Sequence, residues 1–487
     1  MNFEIFSQKN PIGNVFFCYL CIKFKTVIDM LIEFSVSNYL SIKEPITLSM
    51  VASNPVKELE DINEGLNNVF FDKNRKNKYL KSAVIYGANG SGKSNLLSAI
   101  GFFKKFILSS SNDRQADDEI KTIPFLLSTE TENTPSSFEM VFLIDSVRFR
   151  YGFEVTKETV TSEWLFGFDI ENSNKESSYF IRENQEIKPS IKNFKEGKGL
   201  EDKTRPNALF LSTVAQLNGE ISNKIQNWIK VNINIISGLE DFTTAYTIGK
   251  FQEQEGFRKK IIDFFKLINL GIEDIKIEEA TLGNVSKFSL NEKEDKKIVA
   301  LLSELQKELD KKTKKNGETK EITINTFHNK FDETNKLIER IALDFALESK
   351  GTQKLFGLLG PWFDTLEKGK ILIIDELDSR LHTKLTMELL KIFQSNINAK
   401  NAQLIFASHD TNLLRKDLFR RDQIWFTEKN DIGSTDLYSL VEYKINQATS
   451  VRNDASFEKD YLIGKYGAIP YFGNISKFLN DFVNEPE

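Results

Sequence analysis

At 487 residues the chain is about three times the ~150 residues of one domain, which excludes a mini-protein and predicts one large elaborated domain or two to three lobes. It is 40% hydrophobic and 28% charged, as soluble globular proteins are, and its 65 basic against 70 acidic residues (net −5) exclude nucleic-acid binding driven by overall charge; only a local basic patch would serve. Two cysteines, Cys18 and Cys21, cannot make a disulfide framework, and no apolar run approaches the ~20 residues of a membrane span.

The nearest such run, Val15 to Ile22, is closed by Lys23 and Lys25. With Glu4 ahead of it and no small-residue cleavage site behind it, it makes a poor signal peptide, so a cytoplasmic chain without membrane contact is expected. Leu31-Ile32-Glu33-Phe34-Ser35-Val36 alternates as a first strand starting at Met30, which leaves residues 1–29 as an extension outside the fold. Ser82-Ala83-Val84-Ile85-Tyr86 reads as a strand buried on both faces that ends in a Gly-rich turn. Ser94 to Ile107 then places Leu96, Ile100, Phe103 and Ile107 on one helical face. Alternation at Phe138, Met140, Phe142 and Ile144, a turn at Asp145-Ser146, and alternation at Val147, Phe149, Tyr151, Phe153 and Val155 predict an antiparallel hairpin, which Trp164–Asp169 and Ser178–Arg182 extend.

From Pro206 the pattern is helical, with Ile221, Ile225, Trp228 and Ile229 on one face. Glu292 to Lys320 is the most charged stretch; its Ile298, Leu301, Leu302, Leu305 and Leu309 fit either a solvated helix packed on its neighbour or a protruding arm. After Leu347 the buried-strand character returns at Ile371–Ile374 and Leu404–Ala407. The expected fold class is α/β: a mainly parallel core sheet, an antiparallel β subdomain and a helical insertion, divided as 30–205, 206–340 (with a charged arm at 292–320) and 341–487.

Gly87-Ala88-Asn89-Gly90-Ser91-Gly92-Lys93-Ser94 fits G-x-x-x-x-G-K-[ST] at every fixed position. Glycines let the backbone curl into a nest of N–H donors at a helix start, where a phosphate chain can approach closely. Lys93 would reach the β- and γ-phosphates and the Ser94 hydroxyl would ligate Mg²⁺. The apolar strand Ile371–Ile374 ends in Asp375-Glu376; at the end of a sheet strand beside such a loop, Asp375 can hold the Mg²⁺ hydration shell while Glu376 polarises the attacking water. His409 follows the last apolar run and is a candidate sensor of the γ-phosphate, which His328 and His382 are not. Ser349-Lys350-Gly351-Thr352 opens a helix reaching Leu359, and fits either a phosphate-capping turn or a plain helix cap.

Together these motifs resemble the ABC-type ATPases, in the soluble branch that includes the RecF and SMC proteins. That resemblance implies an ABC-type P-loop ATPase head that hydrolyses ATP with Mg²⁺. Its Walker A contacts would be Gly87, Asn89, Gly90, Ser91, Gly92, Lys93, Ser94 and Asn95, its Walker B metal ligand Asp375, its catalytic base Glu376, its D-loop Asp378 and Ser379, and its switch histidine His409. The signature would be Ser349, Gly351 and Thr352, departing from Leu-Ser-Gly-Gly-Gln where Glu348, Lys350 and Thr352 stand. Pro124–Leu127 marks the Q-loop region, with no glutamine to fill the role.

The stretches Asn38–Ser41, Asn207–Ser212, Gln423–Phe426 and Tyr466–Pro470 narrow the resemblance to the RloA/AbiLi group of bacterial ATPases and the similar PARIS ATPase. This implies a homodimer or larger homo-oligomer closed around ATP, work in anti-phage defence or abortive infection, and a separate, Toprim-like effector controlled by a DNA or phage-derived trigger. The 78 residues after His409 leave little room for a fused effector domain of ~100–150 residues. A RecF-like repair ATPase is the second expectation, with Arg415, Lys416, Arg420 and Arg421 as its phosphate-contacting patch. A transporter subunit is disfavoured by the 259 positions between Gly92 and Gly351.

Overall fold

The computed structural model of the chain describes residues 29–53, 66–72, 76–112, 115, 118–173, 175–237, 242–281, 320–445, 449–450 and 456–470. The expected extension at 1–29, with Cys18 and Cys21, and the charged arm at 292–320 lie outside these residues apart from Asp29 and Lys320.

In chain order, β1 (Met30–Ser37) and β2 (Ile46–Ser49) lead to a small hairpin of β3 (Val69–Phe71) and β4 (Lys78–Leu80), then β5 (Ser82–Tyr86) and helix α1 (Lys93–Ser109). Next come β6 (Ser136–Ile144), β7 (Val147–Val155), β8 (Val160–Asp169), β9 (Ser177–Glu183) and β10 (Glu186–Pro189). These five strands line up antiparallel with β1 and β2 in the order β10-β9-β8-β7-β6-β1-β2. The hairpin register pairs Phe142 with Phe149 and Met140 with Tyr151, and its turn holds Asp145 in a left-handed conformation (φ 55°), which Asp tolerates better than most residues.

Helices α2 (Phe210–Gln216) and α3 (Glu220–Asn232) follow, then β11 (Ile233–Ser237), α4 (Phe242–Glu253) and α5 (Glu255–Leu267). β12 (Ile272–Thr281), β13 (Lys320–Phe331) and β14 (Leu337–Asp344) form a three-stranded antiparallel sheet. The chain closes with α6 (Lys350–Lys368), β15 (Ile371–Asp375), α7 (Thr383–Gln394), β16 (Gln403–Ala407), β17 (Ile424–Lys429), β18 (Thr435–Ser439) and α8 (Phe457–Leu462).

The core sheet runs β11-β15-β16-β5-β17-β18, parallel except for its last strand. Its central strands β5, β15 and β16 are buried at every position but Asp375, with apolar residues at four positions of each, because both faces are covered. Ala83, Ile85, Ile371, Ile373, Ile405 and Ala407 point into a core shared with α1, α2, α3 and the antiparallel sheet. Their neighbours Val84, Tyr86, Leu372, Ile374, Leu404 and Phe406 point the other way, into a core with α5, α6 and α7. This two-residue alternation makes one sheet the shared wall of two hydrophobic cores.

The insertion differs from the helical expectation for 206–340. Its first part is helical, but Ile233–Ser237 joins the core sheet as an edge strand, and Ile272–Thr281, Lys320–Phe331 and Leu337–Asp344 are antiparallel strands. The Ile-Asn-Ile-Ile run continues α3 without a breaker, so local pattern alone does not separate it from that helix; pairing with β15 decides its state.

Candidate nucleotide site

The parallel sheet brings the carboxyl ends of β5, β15 and β16 to one edge, where Gly87, Glu376 and Ser408 leave the sheet. In open α/β sheets that edge is where ligands bind. The loop after β5 enters α1 at Gly92, whose φ of 110° and approach to Thr435, 2.1 Å from where a Cβ would stand, leave no room for a side chain. Gly87 is equally confined, with the Thr427 carbonyl 2.4 Å from its would-be Cβ. The loop is braced from β17 and β18: the Ser91 hydroxyl bonds that of Thr427 at 2.6 Å, and the Thr435 hydroxyl donates to the Ser91 carbonyl at 2.8 Å. Asn89 and Gly90 stand exposed at the tip, and Ser94 is exposed on the first turn of α1.

Lys93 is buried, its ammonium donating to the carbonyls of Gly87 (2.8 Å) and Ala88 (3.1 Å). Burial pulls its pKa below the usual lysine value, while Asp375, Glu376 and Asp378 hold it up. The loop cation therefore lies in the field of the acidic strand tip, two stretches of chain almost three hundred residues apart in sequence. Asp375 has a buried Oδ1 without a hydrogen-bond partner, as does Asp378. Such orphaned oxygens suit a hard divalent cation, and with the Ser94 hydroxyl they give an oxygen-only donor set. Among the described residues no cluster of three or more His, Cys, Asp or Glu could hold a metal alone, so a cation here would take its other ligands from phosphate and water.

The chain matches, over residues 82–415, the family described as "AAA domain, putative AbiEii toxin, Type IV TA system". It belongs to that family. No curated protein matches it. Similar solved structures include an SMC head bound to the C-terminal winged-helix domain of ScpA (12% identity, 84% of this chain and 97% of that one, TM-score 0.35). An SMC head with an extended coiled coil, from Pyrococcus furiosus, has 14% identity, 86% and 98% coverage and a TM-score of 0.35. The recombination mediator RecF with ATP has 14% identity, 85% and 99% coverage and a TM-score of 0.29. These likenesses are distant, and the fold is assigned from the strand order above.

In this member of the AAA family Glu376 leaves β15 in a left-handed conformation (φ 56°), a strained state for glutamate. Leu377 and Asp378 continue the turn: the Leu377 N–H donates to the Ala407 carbonyl and Asp378 accepts the His409 N–H at 3.3 Å. His409 is itself exposed, on the rim of a 440 Å³ hollow that Gly87, Ala88, Asn89, Tyr461 and Ile469 also line. Partial burial and the nearby Lys93 lower its pKa against the pull of Asp378, Glu376 and Asp375, which favours the neutral imidazole.

Ser349 is the N-cap of α6, its hydroxyl accepting the Thr352 N–H at 3.1 Å and meeting the Thr352 hydroxyl at 2.9 Å. The turn is thus a helix cap, and its neighbour is the loop after Glu376: the Arg380 carbonyl lies 2.8 Å from a Cβ on Gly351. None of the described hydrogen bonds of Ser349, Gly351 or Thr352 goes to the phosphate loop of the same chain.

Three expected sites read differently in the structure. The Asn95 amide donates to the Ser41 hydroxyl, which bonds Thr435, so Asn95 ties the Asn38–Ser41 turn to the loop instead of facing a ligand. Of the expected basic patch Arg415, Lys416, Arg420 and Arg421, Arg420 is withdrawn into a buried bidentate pair with Asp422, Arg415 is paired with Asp417 at the surface, and Lys416 lies over the Phe457 ring. Pro124–Leu127 buries Phe125 and exposes Leu126 and Leu127, the Phe125 N–H donating to the Asn38 side chain.

Sequence reasoning missed Thr427 and Thr435, which brace the loop from strands more than three hundred residues away, and Lys354, which donates to the carbonyls of Glu376, Leu377 and Ser379. No local signal marks the threonines. Lys354 could have been noticed as a lysine one turn into the helix that Ser349 caps. Among the described residues no helix is long and apolar enough to cross a membrane.

Proposed function

We propose that the chain is an ABC-type ATPase that binds and hydrolyses ATP with Mg²⁺ and uses the nucleotide as a conformational switch between separate and paired chains. The observation that carries this reading is the Lys93 ammonium lying in the field of Asp375, Glu376 and Asp378, at the edge where a glycine nest opens. Lys93 would exchange its loop carbonyls for β- and γ-phosphate oxygens, and the loop N–H groups would line the phosphate chain. The Ser94 hydroxyl and Asp375 would hold Mg²⁺, which offsets phosphate charge when bound. Glu376 would accept a proton from the attacking water at its carboxylate, and neutral His409 would contact the γ-phosphate side.

The signature turn lies beside the Glu376–Arg380 loop and makes no described hydrogen bond to its own phosphate loop, which favours a second chain supplying that turn. ATP would then stabilise a head-to-tail pair through differential affinity for the closed state, and hydrolysis would release it. We further assign the chain to the RloA/AbiLi-like defence ATPases, as the sensor controlling a separate effector. The match to a family described by a toxin–antitoxin toxin supports that assignment over RecF-like repair, two of whose expected phosphate contacts, Arg420 and Arg415, are paired with Asp422 and Asp417. Static light scattering of Glu376→Gln with ATP and magnesium tests the switch: a rise to twice the chain mass is expected, and an unchanged mass overturns it.

A further inference from the structure

The signature turn carries glutamate where the resemblance leads one to expect leucine, and the reading above gives Glu348 no role. Its carboxylate Oε1 is 2.7 Å from His328 Nε2 and 2.6 Å from the Thr326 hydroxyl. Both partners lie on β13, the middle strand of the three-stranded sheet, and both carboxyl and imidazole are mostly shielded from water. A carboxylate can only accept here, so His328 donates from Nε2 and Thr326 from its hydroxyl. The backbone of Glu348 is pinned as well, its N–H donating to Phe345 and its carbonyl accepting from the Gln353 side chain. The next residue is Ser349, the cap that fixes the first turn of α6. A leucine at 348 would satisfy neither donor and would leave the turn held by its backbone bonds alone, without the side-chain tie to β13.

We propose that Glu348 is a positioning residue, clamped to His328 and Thr326 so that the β12–β14 sheet sets the orientation of the Ser349–Thr352 turn offered to a partner chain's nucleotide. This rests on the two-chain reading above. The sheet reaches the turn along the chain, through Phe345–Leu347, and across from β13 through the Glu348 side chain, so a displacement of β13 is passed to the residue that precedes the cap. Gly351 against Arg380 and Lys354 against the Glu376, Leu377 and Ser379 carbonyls then hold the same turn from its other side.

The test uses full-length chains carrying Glu348→Leu, Glu348→Gln or Glu376→Gln. Glu348→Leu should lower turnover by roughly 10–100-fold, as expected for losing a charge-assisted and a neutral hydrogen bond, with fluorescent ATP binding to the isolated chain unchanged. Glu348→Gln, whose amide oxygen still accepts both bonds, should lose less. Mixing Glu348→Leu with Glu376→Gln before adding ATP should restore turnover, because the first chain keeps its phosphate loop and glutamate while the second supplies an intact turn. Wild-type turnover in Glu348→Leu, or no restoration on mixing, overturns the proposal while an assembling Glu376→Gln leaves the two-chain reading standing. If Glu376→Gln does not assemble, that reading fails and the proposal falls with it.

Discussion

Lys354 and Glu376 are joined through the backbone: the Lys354 ammonium, on the second turn of α6, donates to the Glu376 carbonyl at 3.0 Å and to the Leu377 carbonyl at 3.2 Å. One side chain thereby ties the capped turn at Ser349 to the acidic end of β15. The left-handed Glu376 turn presents the carbonyls of Glu376, Leu377 and Ser379 on one side, and the Lys354 ammonium donates to all three.

Replacing Lys354 by methionine keeps the stem and removes the donors, and should lower ATP turnover by about ten-fold while leaving nucleotide affinity within two-fold. Burial pulls Lys354 down to about 8, against the pull of Asp378 and Glu376. Turnover should therefore fall as pH rises through about 8, where the ammonium loses one of its three N–H donors. Stability moves the opposite way: between pH 8 and the ordinary lysine value of about 10.4 the unfolded chain binds the proton and the fold does not, so unfolding free energy rises with pH in that window. Lys354→Arg, charged at every pH tested, should flatten both profiles. Turnover-pH curves and denaturant titrations read the two effects separately.

Glu376→Gly should raise the midpoint of thermal unfolding while abolishing hydrolysis. The left-handed backbone at Glu376 costs about 1 kcal/mol for a side-chain-bearing residue and nothing for glycine. Glu376→Gln keeps that strain and should unfold with the wild-type midpoint, so calorimetry of the two inactive variants isolates the backbone term. A lower midpoint for the glycine variant would show that the strain is not stored there.

Arg420→Ala should destabilise the fold by about 3–5 kcal/mol, because it strands the Asp422 carboxylate in a buried site and removes the donor to the Ser53 carbonyl. Arg415→Ala, an exposed pair with Asp417, should cost under about 1 kcal/mol. Urea denaturation of the two variants distinguishes a structural cluster from a solvated basic patch; equal small losses would put Arg420 back on the surface.

Local pattern was enough to define the strand–glycine loop–helix unit at 82–109, the hairpin at 136–155 and the acid-tipped strand at 371–375, because each depends on contacts within a few residues: alternation, helical spacing, glycine at a tight approach. It also named Lys93, Asp375, Glu376 and His409 as candidates, since loop and strand-end chemistry is written in adjacent positions. Tertiary structure alone decided that Ile233–Ser237 leaves α3 for the edge of the core sheet, where pairing with β15 outweighs its local continuity with the helix. It alone turned Arg420 inward to Asp422 and brought Thr427 and Thr435 against the glycine loop, Lys354 onto the Glu376 carbonyl and His328 onto Glu348. Those contacts join residues whose separation in sequence carries no periodic signal; they exist because two cores on opposite faces of one sheet fix where each strand end and helix start must lie.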